Sequence, residues 1–453
     1  PVGPEGTLIP GDFAGGMPLV ALSPAPAIGP VLEEPEQPPT FEAGAPASGH
    51  VEPIAPFEGL KVLDLAWVVA GPAIGRVLAD YGATVVRVES SRRVDTARLM
   101  GPFPDGAFDR DRSACYETYN TGKLGLALDL AREEARAVVR DLVAWADVLV
   151  ESFAPGQMER WGLGYEALRA IKPDLVMVST SLMGQTGPYA PFAGFGNIGA
   201  AMSGFQALVG WPDALPIGPF GPYTDYVGPR FGLAALLATL HRRRITGAGA
   251  WLDISQAEAG MQFLAAEIAE HGATGSVARA IGNRAASMAP HGVFPGAGED
   301  RWVAIVARDD AEWAVLAGLI GGAAAQPHLA TVAGRKAHED ELERLVGEWT
   351  RGRTVEAIEA ALQDAGLPAH VVASSADMVR DPQLVQRGQF VRLKHERGGE
   401  SVVEASRFRL SATPAAYRRT APSFGRDNVE VLEQLLGYDA ARIEQLAAAG
   451  ILT

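Results

Sequence analysis

A repeated alternation of short apolar strands with helices constrains this chain more than any other feature. Lys61-Val-Leu-Asp-Leu65 reads as a short buried strand. Ala70-Gly-Pro72 opens a helix running to about Tyr81, with Pro72 in the first turn, where its missing N–H is tolerated. Gly82-Ala-Thr-Val-Val-Arg-Val88 is the next strand. The pattern continues with strand Gly125–Leu130, helix Glu133–Ala146, strand Val148–Glu151, helix Gly164–Ile171 and strand Leu175–Ser181. This spacing predicts βαβ units on a parallel sheet, so the expected fold class is α/β with a doubly wound core.

The 453 residues suffice for two or three domains or one large interleaved one. A core of that size needs no disulfide or metal staple. The single cysteine, Cys115, excludes an internal disulfide framework and fits a reducing cytoplasm. A net charge of −15 argues against a general nucleic-acid or bilayer-surface binder, but leaves room for a local anion site. No apolar run reaches the roughly 18–20 residues a membrane helix needs. The chain opens on Pro1 with neither a basic n-region nor an apolar h-region, so no signal peptide is expected.

Residues 1–57 stand apart. They hold thirteen of the 32 prolines, seven acidic residues and no Lys or Arg. Such a segment buries little, and an extended acidic arm is expected. Its Pro10-Gly-Asp-Phe13 and Ser23–Leu32 faintly echo the chain's own Phe408–Glu433.

The stretch Thr186–Gly228 is rich in Gly, Pro and aromatics and too irregular for an ordinary connection. Long loops in α/β proteins often carry function. Within it, Pro216-Ile-Gly-Pro-Phe-Gly-Pro-Tyr-Thr-Asp225-Tyr-Val-Gly-Pro-Arg230 holds one acid, just ahead of a strong apolar helix at Arg230–Arg244. Asp225 either caps that helix or does chemistry. The helix ends in His241-Arg-Arg-Arg244, basic residues that suit a helix C-terminus better than a phosphate site. A second block, about Arg301–Leu393, has its own strands and helices, and a helix pair at Asn428–Leu436 and Ala440–Ala448 ends the chain.

Eight motifs fall in a recognisable order: Asp64…Ala70-Gly-Pro72; Leu78-Ala-Asp-Tyr-Gly-Ala83 with Val88-Glu89; Leu128-Asp-Leu130; Ala146-Asp147…Glu151-Ser-Phe153; Pro155-Gly156…Arg160-Trp-Gly162; Gly184-Gln-Thr-Gly-Pro-Tyr189; Thr246-Gly…Gly249; and Phe424-Gly-Arg-Asp-Asn428…Leu436-Gly-Tyr438…Ala449-Gly-Ile451. Each alone is weak. Together, over about Phe57–Thr453, they resemble the class III CoA-transferase family, the group of formyl-CoA transferase and carnitine-CoA transferase.

The resemblance implies a large CoA-binding α/β domain built from both chain ends (58–285 and 400–453), with a small domain and linkers at 286–399. It also implies an interlocked-ring dimer, homomeric or formed with a paralogue. It implies no metal and no cofactor beyond the CoA thioester as substrate. Counting back from Thr246-Gly247, the family's catalytic Asp falls on Asp225. With an ordinary pKa near 3.9, it would attack an acyl-CoA thioester and pass through a mixed anhydride and an aspartyl-CoA thioester. Backbone N–H groups of Gly218–Gly228 and of a loop near Gly282-Asn283 are expected to stabilise the oxyanion. For CoA, Val68, Val69 and Ala70 match the loop at the pantetheine and thioester end, and Leu128, Phe153 and Arg160 match positions lining the nucleotide. Arg160 suits a phosphate contact.

Several positions depart from the family. Its Glu-Asn-Phe is Glu151-Ser152-Phe153 here, and its Asn-x-x-Lys-Arg turn survives only as Asn120-Thr-Gly-Lys123. The basic residue after the strand Glu is Ser90, leaving Arg92 or Arg93 for that role. Val69 replaces a Gln, and no Lys stands between Lys172 and Lys336. Family racemases of 2-methylacyl-CoA carry an Asp where this chain has Gly194-Phe-Gly-Asn197, so that reading is disfavoured. A partner subunit of a heteromeric transferase, with little activity alone, stays open. Trp67, Trp161, Trp211, Phe220, Tyr223 and Tyr226 lie in or near the site loops; as pocket walls they would favour a larger acid. The Pro-Tyr-Thr-Asp-Tyr context is similar to transferases that activate arylsuccinates with succinyl-CoA.

Overall fold

The structure is a computed structural model that describes residues 54–453. The acidic arm expected at 1–57 lies almost wholly outside the described residues.

Six strands form one parallel sheet: β1 (Lys61–Asp64), β2 (Thr84–Glu89), β3 (Leu124–Ala127), β4 (Val148–Glu151), β5 (Val176–Ser181) and β6 (Ala250–Ser255). Their order is β3-β2-β1-β4-β5-β6. Val62 pairs with Val85 on one side and Val148 on the other, so β1 is central. The strands are short runs of Val and Leu because both faces are covered. Successive residues point to opposite faces. Leu63, Val86, Leu126 and Leu149 pack under helix Glu133–Trp145 on one side. Val62, Val85, Val148 and Val176 pack under Ile74, Leu78 and Leu236 on the other. The order reverses between β1 and β4, and ligands bind open α/β sheets at the strand C-termini beside such a reversal.

The helices up to the long one that follows the Gly-rich stretch are α1 (Ala70–Asp80), α2 (Ala114–Asn120), α3 (Glu133–Trp145), α4 (Gln157–Arg160), α5 (Tyr165–Ile171), α6 (Gly196–Met202), α7 (Phe205–Leu208) and α8 (Tyr223–Thr246). Three of these correct the sequence reading. The irregular Thr186–Gly228 stretch holds α6 and α7. The helix expected from Arg230 starts at Tyr223 and carries Pro229 inside it. Proline at that point mimics a helix boundary: it lacks the N–H that would bond the carbonyl four residues back, which belongs to Asp225, and its ring crowds that carbonyl. At the other end Gly247 closes the helix in a left-handed turn, and Arg243 pairs with Asp147 (2.8 Å) and Asp174.

The chain's end returns to the sheet. Val431, Leu432, Tyr438 and Ile451 join the core under α3. The Asp427 carboxylate accepts the Gly125 N–H (2.7 Å), and Asn428 Oδ1 accepts the Ala127 N–H (2.8 Å). These bonds satisfy the free edge of β3. Gly125 permits the approach, since a Cβ there would sit 2.6 Å from Pro422. The expected helix at Asn428–Leu436 is present over residues 428–435, wound wider than an α-helix at Glu430–Leu435. Antiparallel strands β7 (His291–Pro295), β8 (Trp302–Val306) and β9 (Ala369–Val371) bury Phe294, Val303, Ile305, Trp313, Leu342 and Ile358 in a core of their own.

Candidate active site

Asp225 lies in the first turn of α8, where the helix dipole favours a negative charge. It does not cap the helix: the cap position is Pro222, with no side-chain bond. The carboxylate reaches across to α6 and accepts the Gly196 N–H at 3.2 Å. Thr224 Oγ1 donates to the Gly196 carbonyl at 3.1 Å, locking the two helix starts together. Only glycine fits at 196, because a Cβ would meet the Pro222 carbonyl oxygen at 2.5 Å and the Asp225 nitrogen at 2.6 Å. The Gln256 side chain, which follows β6, also hydrogen-bonds Asp225.

Burial raises the Asp225 pKa to about 6, against the pull of the Gly196 and Gln256 hydrogen bonds. The ordinary carboxylate value assumed from sequence therefore does not hold. Asp225 is still mostly ionised at neutral pH, but as a poorly solvated and more basic carboxylate.

Asp225 lines a cavity of about 480 Å³ between α1, α2, α8 and the segment Glu404–Phe408. Tyr119, Tyr226 and Arg230 share its wall. Sequence reasoning missed Gly196 as a donor, and also Gln256 and Arg230. Gly196 carried the one usable signal, a glycine pair at 194 and 196 ahead of a short helix.

The second centre is the crevice between β1 and β4. Val68 takes φ 63°, an unfavourable value for a β-branched residue. Its N–H donates to both Asp95 carboxylate oxygens (3.1 and 3.2 Å), and the Trp67 N–H donates to Ser152 Oγ (2.8 Å). Ser152 thus supplies an acceptor where the family has an amide. Asp95 is ion-paired to the fully buried Arg87. Nearby, Lys123 Nζ reaches Asp64 (2.6 Å), the Pro72 carbonyl (2.9 Å) and Asn120 (3.0 Å). Burial pushes its pKa down to about 8, with Asp64 pulling the other way. The Asn120…Lys123 motif therefore pins the start of α1 to the end of β1.

The structure gathers some CoA-site positions here. Phe153 meets Trp67 and Trp161 edge-on, at 6.1 and 5.0 Å between ring centres. The Arg93 guanidinium lies 5.1 Å from the Trp67 ring centre. Val69 and Ala70, both buried, form the start of α1. Arg160 is exposed at the end of α4 and donates to Gln157 (2.7 Å). Arg92 is exposed and pairs with Asp129 at 3.2 Å. Leu128 is wholly buried under α3, which leaves its main chain rather than its side chain for any contact with a nucleotide. Gly282-Asn283 is not at Asp225 in this chain. Gly282 packs against Trp211, and Asn283 borders a different cavity beside β7. Among the described residues no group of three or more His, Cys, Asp or Glu is placed to hold a metal ion.

A parallel sheet ordered 3-2-1-4-5-6 with a buried aspartate at a helix start matches a known class. The model of "CoA-transferase family III" matches residues 57–428. The chain belongs to this family and is a class III CoA-transferase. It is 33% identical over 402 residues to a succinyl-CoA–D-citramalate CoA-transferase of Chloroflexus aurantiacus, covering 88% of this chain and 99% of that one. It is 31% identical to the alpha subunit of a succinyl-CoA–L-malate CoA-transferase of the same organism, covering 92% and 94%. A crystal structure of a CAIB/BAIF family protein from Brucella suis superposes with a TM-score of 0.77 at 30% identity, covering 84% of this chain and 99% of that one.

Proposed function

We propose that this protein moves CoA from succinyl-CoA to a second carboxylic acid, with Asp225 as the acyl carrier. The Asp225 carboxylate attacks the thioester carbonyl. The C–S bond breaks, CoA leaves as thiolate, and a mixed anhydride remains. The thiolate then attacks the aspartyl carbonyl, which releases the donor acid and leaves an aspartyl-CoA thioester. The acceptor carboxylate displaces the thiolate to give a second anhydride, and thiolate attack on the acceptor carbonyl frees Asp225 and the new acyl-CoA. The observation that carries this reading is the buried Asp225 carboxylate, aligned by Gly196 and open to a cavity. Burial weakens solvation of the nucleophile and excludes the water that would hydrolyse an anhydride.

Two related enzymes are named for succinyl-CoA with citramalate or malate, which favours succinyl-CoA as donor. The crevice holding Val68, Phe153, Trp67 and Trp161 is the proposed CoA site, with Arg93, Arg92 and Arg160 at its rim. The racemase reading stays disfavoured, because the Gly194–Asn197 stretch serves here to bind Asp225 and carries no acid.

We also propose the interlocked dimer and the division into large and small domains. The shared core of both chain ends, and the separate core at residues 289–371, support the division. Phe195, Trp211, Leu215, Ile217 and Phe220, all within one stretch of the chain, are at least half exposed, with Phe220 at 96%, which supports an interface there. The related alpha subunit keeps a heteromer open as the second reading.

The test is incubation of the purified chain with succinyl-CoA and a panel of acids, with mass spectrometry of the products. Asp225→Ala should abolish exchange, and hydroxylamine should trap Asp225 and no other carboxylate. An active alanine variant would sink the mechanism. A wild-type chain active only beside a paralogue would establish the heteromer.

A further inference from the structure

We propose that Arg230 receives the distal carboxylate of the substrate acid, so that the cavity beside Asp225 selects dicarboxylic over monocarboxylic acids. The proposal rests on Asp225 being the acyl carrier.

Charge on the cavity wall motivates it. Arg76 pairs with Asp80 at 3.0 Å and also donates to the Glu404 carbonyl at 2.8 Å. Arg407 pairs with the Glu404 carboxylate. Arg230 lines the same cavity and has no ion pair or hydrogen bond among the described residues. Burial and the neighbouring Arg407 pull its pKa down, offset in part by Tyr119 and Glu404. The residue is nonetheless exposed, so its donors are open to a ligand, and a carboxylate is the group its planar fork fits best.

Geometry agrees. Asp225 and Arg230 are on one helix, roughly 7.5 Å apart along its axis and about 140° apart around it, and both line the same cavity. Helical side chains lean toward the N-terminus, which carries the Arg230 guanidinium toward the Asp225 turn. A short diacid can span that interval with one carboxyl at Asp225 and the other at Arg230. Tyr119 and Tyr226 flank the path.

Arg230 has no carboxylate partner whether Asp225 is free or acylated, since Asp225 is not among the groups that act on it. A diacid brings one carboxylate to attack the aspartyl carbonyl and a second to neutralise Arg230; a monoacid has no group left for it.

The experiment compares succinate, glutarate and adipate with the monoacids of equal chain length. Succinyl-CoA is held saturating, and kcat/KM is measured for each acceptor. The wild-type chain should prefer the diacid. Arg230→Gln should lower the diacid-to-monoacid ratio at least ten-fold, mainly through KM, and Arg230→Lys should recover part of it. An unchanged ratio in Arg230→Gln, or a wild type without diacid preference, would overturn the assignment. Trapping with hydroxylamine in succinyl-CoA alone separates the two levels. No adduct at Asp225 overturns the carrier reading beneath; an adduct without diacid preference overturns the role of Arg230 alone.

Discussion

Gly196 gives its backbone N–H to the Asp225 carboxylate at 3.2 Å, from a position where a single added methyl would strike the Pro222 carbonyl and the Asp225 nitrogen. Both obstacles are backbone atoms and cannot swing aside. Gly196→Ala should therefore push α6 from α8 and break the bond. Overpacking of this kind costs about 1–3 kcal/mol, and a nucleophile misplaced by about 1 Å lowers kcat about 10²-fold. Urea unfolding and initial rates of CoA exchange read the two effects separately.

The raised pKa of Asp225 makes a prediction with two signs. With Asp225 as the proposed nucleophile, activity would need the ionised form, so kcat/KM should climb about ten-fold per pH unit below about 6 and level off above it. Stability runs the other way. Between the unfolded value of 3.8 and the folded value of about 6, the native chain holds a proton that the unfolded chain has lost. Raising the pH through that window therefore weakens the fold. Asp225→Asn removes the buried charge. It should be inactive, yet about 2–3 kcal/mol more stable than wild type at pH 8, with the difference vanishing near pH 4. Paired urea melts at the two pH values check it, and equal stability at pH 8 would count against the desolvated carboxylate.

Lys123 is the counter-ion of a wholly buried Asp64, at 2.6 Å. Arg87 approaches the same carboxylate only to 3.5 Å. Lys123→Met leaves Asp64 to the longer Arg87 pair alone, so it should cost less than the about 3–5 kcal/mol of a fully orphaned buried charge. The double variant Lys123→Met/Asp64→Leu removes both charges and should recover much of the loss. A double-mutant cycle on urea midpoints measures the difference.

How much of this was readable beforehand depended on distance along the chain. The parallel sheet was legible because Val62, Val85, Val148 and Val176 sit in short apolar runs at βαβ spacing. Asp225 was legible through its fixed count to Thr246-Gly247. Its partners were not. Gly196 lies 29 residues away, and neither it nor Gln256 is marked by local pattern as facing a carboxylate. The start of α8 was hidden by Pro229, which reads as a boundary although the helix passes through it. Leu128 sits in a motif near the ligand crevice, but motif position does not say which way a side chain points, and here it points into the core. Arg230 looked like the first residue of an ordinary helix; only the pairing of Arg76 and Arg407 elsewhere shows it to lack a partner.

Val68 offers the last prediction. At φ 63° its branched side chain crowds the backbone, a strain of about 1–3 kcal/mol that persists only because surrounding bonds impose it. Asp95 does this by holding the Val68 N–H with both carboxylate oxygens. Glycine adopts the same backbone without strain, at the expense of a more flexible unfolded chain and of the contacts of the lost side chain. Val68→Gly should therefore leave stability equal to wild type or up to about 1 kcal/mol higher, where most substitutions at a structured loop lower it. If the held loop positions the thioester end of CoA, the same variant should raise KM for succinyl-CoA several-fold, because the loop is no longer confined to one conformation. Asp95→Asn, which weakens the grip on the loop while keeping Val68, should raise KM in the same way but lower stability. Opposite signs on stability with the same sign on KM would identify the strained turn as a functional element; a stability loss in both would mark it as ordinary packing.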